Sequence, residues 1–295
     1  MPIRDTFPPH NKSIGAVFAT YNRADLAKQA AVALLQDPEL SQLIVVDDGS
    51  SDDTIKVLGA IDDPRFTLVT QVQNTGRTDA RLTGIKQMTT DIVILLDDDV
   101  VAKPGLVKAH LAQHNNSSHP QLLVIGYMPV ETNSSTPAIS RIYATEYEGA
   151  VAKYTTSSAI LNKLWGGNVS LAKEPLIRFS EQLSSDLSFH EDQQLGRLAK
   201  DAGFEAVFDK TARAAHMHGR STEGFVKDAI NRGHACAEAG QVPSSVERII
   251  GNKTLVKLAQ LAAKPIIETN NGLSIRVAKA LRRCAVAQGL IEKQQ

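Results

Sequence analysis

From Ser13 to His114, short unbroken apolar runs alternate with stretches of helical spacing. The runs are Ser13–Thr20 (SIGAVFAT), Leu43–Val46, Phe66–Gln71 and Ile92–Leu96 (IVILL). Runs of this length without polar alternation predict strands covered on both faces. Between them, Arg23–Leu35, Asp53–Ile61, Gly76–Met88 and Pro104–His114 carry apolar residues at helical spacing. Pro104 stands at a predicted helix start, where its missing N–H costs no hydrogen bond. Strand–helix alternation of this kind predicts an α/β fold, a Rossmann-like and mostly parallel sheet flanked by helices.

The later sequence is less regular. It predicts a strand over Leu122–Val130, a helix over Ile139–Ala152 and a short strand over Val169–Ala172, opened by Trp165-Gly166-Gly167-Asn168. A helix follows over Glu191–Ala202, stopped by Gly203 as a C-cap, then a short strand over Ala206–Phe208. From Gly224 the spacing is mostly helical. The expected organisation is a flexible N-terminus (1–12), one α/β domain (13–222, in halves 13–115 and 116–222) and a helical appendage (223–295).

In open parallel sheets, ligands sit outside the carboxyl ends of the strands. Here those ends carry Thr20-Tyr21-Asn22, Asp47-Asp48 and Asp97-Asp98-Asp99. Three adjacent carboxylates raise each other's pKa unless a cation is present. A hard divalent cation such as Mn²⁺ or Mg²⁺ prefers such oxygens and keeps part of its shell for substrate phosphates. In extended backbone, residues i and i+2 share a face, so Asp97 and Asp99 are expected to act together and Asp98 to point away. An Asp-rich turn alone is more often a solvated loop; the apolar run before it and the other two clusters favour a metal and phosphate site.

Composition narrows the classes. The 295 residues and 42% hydrophobic content suit a soluble protein with a large core. Acidic and basic residues balance at 32 each, so no global field draws the molecule to nucleic acid, and no nucleic-acid partner is expected. Cys236 and Cys284 lack metal-type spacing and suit a reducing compartment. Met1–Lys12 lacks the apolar segment of a signal peptide, and no apolar stretch is long enough to span a bilayer. The expected location is the cytoplasm.

Taken in order, these motifs resemble those of the family 2 glycosyltransferases of GT-A fold. The matching residues are Ala19-Thr20-Tyr21-Asn22-Arg23, Val46-Asp47-Asp48-Gly49-Ser50, Asn74-Thr75-Gly76 with Ala80-Arg81 and Gly84, Leu96-Asp97-Asp98-Asp99, Gly166-Gly167-Asn168, and Glu191-Asp192 with Leu195-Gly196-Arg197-Leu198 and Ala202-Gly203-Phe204. They run over about Ser13 to His218, most of the chain. The resemblance implies an inverting transferase using a nucleotide-sugar donor, a UDP-sugar favoured, and a glycan or lipid-linked acceptor. Residues 13–115 would bind the donor and 116–222 the acceptor.

The implied roles follow residue by residue. Thr20 and Tyr21 would line the nucleoside pocket, Asp48 would accept from the base, and Arg81 would hold base or phosphate. Asp97 would meet ribose or metal, Asp98 would stand in the donor site, and Asp99 would bind the metal. Asp192 would be the general base that takes the proton of the acceptor hydroxyl; a carboxylate in a helix's first turn is also a common cap. Glu191, Trp165, Gly167 and Asn168 would belong to the acceptor side, Trp165 by stacking on a sugar face. His216, paired with His218, would complete the metal shell, and Arg220 lies nearby. Ala19-Thr20 departs from the Pro often found there. The Gln-rich motif of processive synthases is absent, which implies single addition.

The stretch Gly251–Gln295 is basic, and Val277, Leu281 and Cys284 share a helical face opposite Arg276, Lys279 and Arg283. One reading is peripheral docking at the inner membrane face; the other is a helix packed on protein with a solvated basic face. Two functional alternatives also stand: a non-catalytic nucleotide-sugar-binding protein, and a sugar-nucleotide nucleotidyltransferase. The latter would want a Gly-rich, Arg-containing loop after the first strand, which Thr20-Tyr21-Asn22-Arg23 is not.

Overall fold

The strands are β1 (Ile14–Thr20), β2 (Gln42–Asp47), β3 (Phe66–Thr70), β4 (Ile92–Leu96), β5 (Val100–Ala102), β6 (Leu122–Tyr127), β7 (Asn168–Ala172) and β8 (Glu205–His216). The helices are α1 (Ala24–Leu35), α2 (Thr54–Gly59), α3 (Arg77–Gln87), α4 (Leu106–Asn116), α5 (Ala138–Val151), α6 (Ser157–Leu161), α7 (Lys173–Ser180), α8 (Glu191–Asp201), α9 (Thr222–Glu238) and α10 (Gly272–Lys293). This computed structural model describes residues 12–133, 136–183, 191–217, 219, 222–238, 240, 242, 246 and 272–293. They fall into two compact units, residues 12–128 with 153–216 and residues 129–152 with 217–293.

In the first unit the strands form one sheet in the order β3-β2-β1-β4-β7-β6-β8-β5. The neighbours β3, β2, β1 and β4 run parallel, as their unbroken apolar runs predict. All five residues of β4 are buried. Each such side chain removed from water contributes about 1.5–3 kcal/mol, which offsets the cost of ordering the strand. Register then sets the site. Thr20 pairs with Asp47, and Leu96 pairs with Asn168 on the antiparallel β7. Val100 pairs with His216, which brings the end of β8 beside the turn after β4.

Several elements differ from the sequence reading. β5 has only three residues, too few for a periodic signal. The expected short strand Ala206–Phe208 is part of the 12-residue β8, whose middle mixes exposed polar and buried small residues. Thus His216 is a strand residue. α4 starts at Leu106, because Gly105 turns the chain through a left-handed φ of 85°, and Pro104 lies outside it. α6 and α7 are helices over segments to which the pattern assigns no element.

The second unit is helical. Ile139 and Ile142 of α5, Phe225 of α9, and Ala278 and Leu281 of α10 make one small core. Glu146 and Arg282 form a forked ion pair across α5 and α10. Residues 129–152 therefore group with the C-terminal helices, whereas the expected organisation kept them in the α/β domain. Leu281, on the apolar face read from sequence, is 1% exposed against α5 and α9, while Arg276, Lys279 and Arg283 are exposed. Residues 251–271 lie outside the described residues.

Candidate active site

β4 stops at Leu96, so the carboxylate run is a turn and strand alternation does not govern it. In this turn Asp99 shares a partner with Asp98. Arg23 Nη1 donates to Asp98 Oδ1 at 2.9 Å and to Asp99 Oδ2 at 3.2 Å. Asp98 also accepts from Thr20 Oγ1 at 2.9 Å and is buried. Burial raises its proton affinity, and the Arg23 charge opposes that. Asp97 pairs with Arg81. Burial would raise the Asp97 carboxyl, but the charges of Arg81 and Arg77 outweigh it and hold its pKa below the ordinary value.

Asp99 Oδ1 lies 3.3 Å from His216 Nε2. Neighbouring ligands on an octahedral Mg²⁺-like ion, with bonds of about 2.1 Å, stand roughly 3 Å apart. The oxygen–nitrogen pair therefore fits two positions of one metal shell. Among the described residues, no group of three or more His, Cys, Asp or Glu is arranged to hold a metal. A two-residue platform suits a metal that shares its shell with substrate phosphates. His218 and Arg220 lie outside the described residues.

On the β1 and β2 ends, Tyr21 is 45% exposed and free to cover a planar group. Asn22 turns the chain at φ 53°, and its Oδ1 accepts from the amide of Ser51 at 2.8 Å, tying this loop to the one after β2. Asp48 is buried and accepts from Thr75 N (2.8 Å), Thr75 Oγ1 (3.1 Å) and Gly76 N (2.9 Å). It thereby anchors the entry to α3 and aims Arg77 and Arg81. A base N–H would share an oxygen with these donors.

Glu191 is 4% exposed and acts as a hub inside the protein. Its Oε1 accepts from Arg81 Nη1 at 2.9 Å and lies 2.7 Å from Arg77 Nη2, while Oε2 accepts from Thr78 Oγ1 at 2.7 Å. Arg81 in turn reaches the Leu96 carbonyl at 3.0 Å. The acceptor-side place expected for Glu191 is thus replaced by a link between α8, α3 and the end of β4. Arg77, to which the motifs assigned nothing, also stands 3.8 Å from Asp97. Its spacing from Arg81 was the available signal, since i and i+4 share a helix face.

Asp192 Oδ2 accepts from the Gly166 amide at 2.9 Å. Loss of water raises its carboxyl pKa to about 6, aided by the charges of Glu191 and Asp97 and opposed by the Gly166 bond and Arg77. A Cβ on Gly166 would come within 2.5 Å of Asp192 Oδ1, and one on Gly167 within 2.8 Å of Asp97 Oδ2. The two glycines therefore let both carboxylates close on one turn. A cavity of about 20 Å³, lined by Thr78, Arg81, Gly166, Glu191, Asp192 and others, has room for one water beside Asp192. Trp165, next to Gly166, is partly buried. Asn168 is fully buried and faces α4, so it does not line the acceptor side.

A mixed sheet presenting an Asp turn and, across a Gly-Gly turn, a second acidic pair has the layout of the GT-A class of nucleotide-sugar transferases. The chain belongs to glycosyl transferase family 2: that family's model matches residues 16–169. An uncharacterized glycosyltransferase of Escherichia coli K12, YaiP, is 31% identical over 140 residues, 46% of this chain and 31% of that protein. The chain spans about a third of the length of the curated relatives it matches. The mannosyltransferase PcManGT of Pyrobaculum calidifontis, solved with GDP-Man and Mn²⁺, matches at TM-score 0.56 and 17% identity, over 95% of this chain and 75% of that one. Glucosyl-3-phosphoglycerate synthase of Mycobacterium tuberculosis, solved with Mn²⁺, UDP and glucosyl-3-phosphoglycerate, matches at TM-score 0.50 and 18% identity, over 80% and 82%. These two likenesses show the shared fold.

Proposed function

We propose that the protein is a metal-dependent inverting glycosyltransferase. It moves a sugar from a nucleotide-diphosphate sugar to a hydroxyl of a glycan or lipid-linked acceptor. The observation that carries this reading is Asp192, a carboxyl whose pKa rises to about 6, one Gly-Gly turn from the donor-side Asp97. A base with that proton affinity is largely ionised at neutral pH and still basic enough to take a hydroxyl proton. It would stand opposite the departing diphosphate, which a single displacement with inversion requires.

Asp99 and His216 would hold Mn²⁺ or Mg²⁺, which when bound neutralises charge on the leaving diphosphate. Tyr21 would cover the base, and Asp48, an acceptor-only group, would meet an N–H such as that of uracil. UDP is therefore the favoured nucleotide; both UDP and GDP occur in structures of the same fold. Arg81 would act through Asp97 and Glu191, and Trp165 would face the acceptor sugar. The test is thermal melting of the full chain with UDP or GDP and Mn²⁺ or Mg²⁺. Stabilisation that needs metal and nucleotide together, and is lost in Asp99→Ala, is the expected result. No joint stabilisation by any nucleotide in the panel sinks the reading. A nucleotide-sugar-binding protein without catalysis would bind in the same way and transfer sugar to no acceptor.

A further inference from the structure

Behind the Gly166-Gly167 turn lies a polar chain buried in the first unit. His110 Nε2 is 2.9 Å from Asn168 Oδ1, and His110 Nδ1 is 2.8 Å from Ser170 Oγ. His114 Nε2 is 2.8 Å from the same Ser170 Oγ, and Asn168 Nδ2 donates to the Ala212 carbonyl at 3.0 Å. Asn168, Ser170 and His110 are all 0% exposed, and His114 is 3% exposed. Buried groups of this kind are costly unless every donor meets an acceptor.

One fixed end orders all the protons. A carbonyl can only accept, so the Asn168 amide nitrogen faces Ala212 and its oxygen faces His110. His110 must then carry hydrogen on Nε2. With Nδ1 left as acceptor, the Ser170 hydroxyl donates to it. The Ser170 oxygen is in turn free to accept from His114 Nε2–H. Each link is satisfied only when His110 is neutral in the Nε2–H form and His114 carries hydrogen on Nε2. An added proton on His110 Nδ1 would turn the Ser170 hydroxyl away from its acceptor.

The chain also reaches the site. Asn168 lies on β7 and Ala212 on β8, with β6 between them. A Cβ on Gly126 of β6 would come within 2.2 Å of Asn168 Nδ2 and 2.4 Å of the Ala212 carbonyl, so glycine there lets the amide cross the strand. Asn168 directly follows the turn that holds Asp192 and abuts Asp97, and Ala212 precedes His216 on the strand that meets Asp99.

We infer that His110 and His114 are positioning residues: a proton-ordered relay through Ser170 and Asn168 that clamps β7 to β8 and so sets the Gly166-Gly167 turn. The relay operates only with the His110 ring neutral. Burial pushes both rings down, His110 to about 4 and His114 to about 3. The charge of Asp209 on β8 pulls His110 up, whereas His110 itself and Lys12 push His114 further down. Folded-state values below the ordinary 6.5 mean that the unfolded chain takes up protons first as pH falls. Stability from the relay is therefore complete above about pH 6.5 and declines toward pH 4.

The test uses the full chain with ¹⁵N-labelled histidine and long-range proton–nitrogen correlation at pH 6. Both rings are expected as neutral Nε2–H tautomers. A cation at His110, or an Nδ1–H tautomer at either position, overturns the proton order, and this measurement needs no variant. The positioning role is read from hydrogen exchange of the Asp97 amide, which donates to the Gly167 carbonyl at 3.4 Å. Ser170→Ala should accelerate that exchange roughly tenfold or more, the consequence of leaving a buried partner unsatisfied. Ser170→Thr, which keeps the hydroxyl, should restore it. Unchanged exchange in Ser170→Ala overturns the role. No nucleotide, metal or acceptor enters either measurement, so the result stands apart from the transferase reading.

Discussion

The molecule carries two acidic segments, Asp97-Asp98-Asp99 and Glu191-Asp192, and treats them in opposite ways. Each carboxylate of the first has a guanidinium within reach, Arg23 for Asp98 and Asp99, Arg81 and Arg77 for Asp97. In the second, Glu191 takes up Arg77 and Arg81, and Asp192 is left with the Gly166 amide as its hydrogen-bond donor on that turn. Asp97 is accordingly held below the ordinary carboxyl range while Asp192 rises to about 6. Two titratable groups pushed apart by their surroundings divide the labour of a site. In the proposed reaction the low one would stay charged beside the donor and the high one would exchange a proton.

The strongest way to break this comparison is Asp192→Asn. If Asp192 is the base, sugar transfer should fall by about 10²–10⁴-fold, with metal-dependent nucleotide binding retained in the same melting assay. Transfer within about threefold of the unaltered protein would place the base elsewhere. Next is Arg81→Met, which leaves Glu191 and Asp97 facing each other without their shared buried cation. Removing one partner of a buried ion pair costs about 3–5 kcal/mol. Urea unfolding should show that loss; a change below about 1 kcal/mol means that Arg77 alone suffices. A smaller, more local effect is expected from His216→Ala. It should weaken the metal requirement of nucleotide stabilisation while leaving metal-free melting nearly unchanged, whereas Asp98→Asn, whose partners are Thr20 and Arg23, should keep that requirement.

What could be read from sequence follows from range of interaction. Strands β1, β2 and β4 are buried on both faces by local runs, so their boundaries were visible to within a residue or two. The three Asp at the end of β4 could be seen for the same reason. The direction of each Asp could not, because the chain leaves the strand at Leu96 and turn geometry replaces alternation. Of β8 only the stretch Ala206–Phe208 could be read, because pairing with β6 and β5, rather than a local apolar pattern, holds the rest extended. Gly166-Gly167 was visible as a motif, but its close neighbours Asp97 and Asp192 are brought to it only by the fold. Asn168 and His110 were invisible as a pair, since 58 residues separate them and only the fold brings them to 2.9 Å.

The finest test sets the two neighbours of Asp192 against each other. An ionised base is needed for transfer, so the rate should fall as pH drops through the pKa of Asp192, giving an acid limb near pH 6. The Glu191 charge raises that pKa and the Arg77 charge lowers it. Glu191→Gln should therefore move the limb to lower pH, and Arg77→Gln to higher pH. Arg77 has a side chain 45% exposed, so water screens its charge and its shift should be a fraction of a unit. A pH–rate profile of kcat/KM, measured with excess metal, reads both. Shifts of the same sign in the two variants would mean that the limb belongs to another group, because a single carboxylate between opposite charges must respond to their removal in opposite directions.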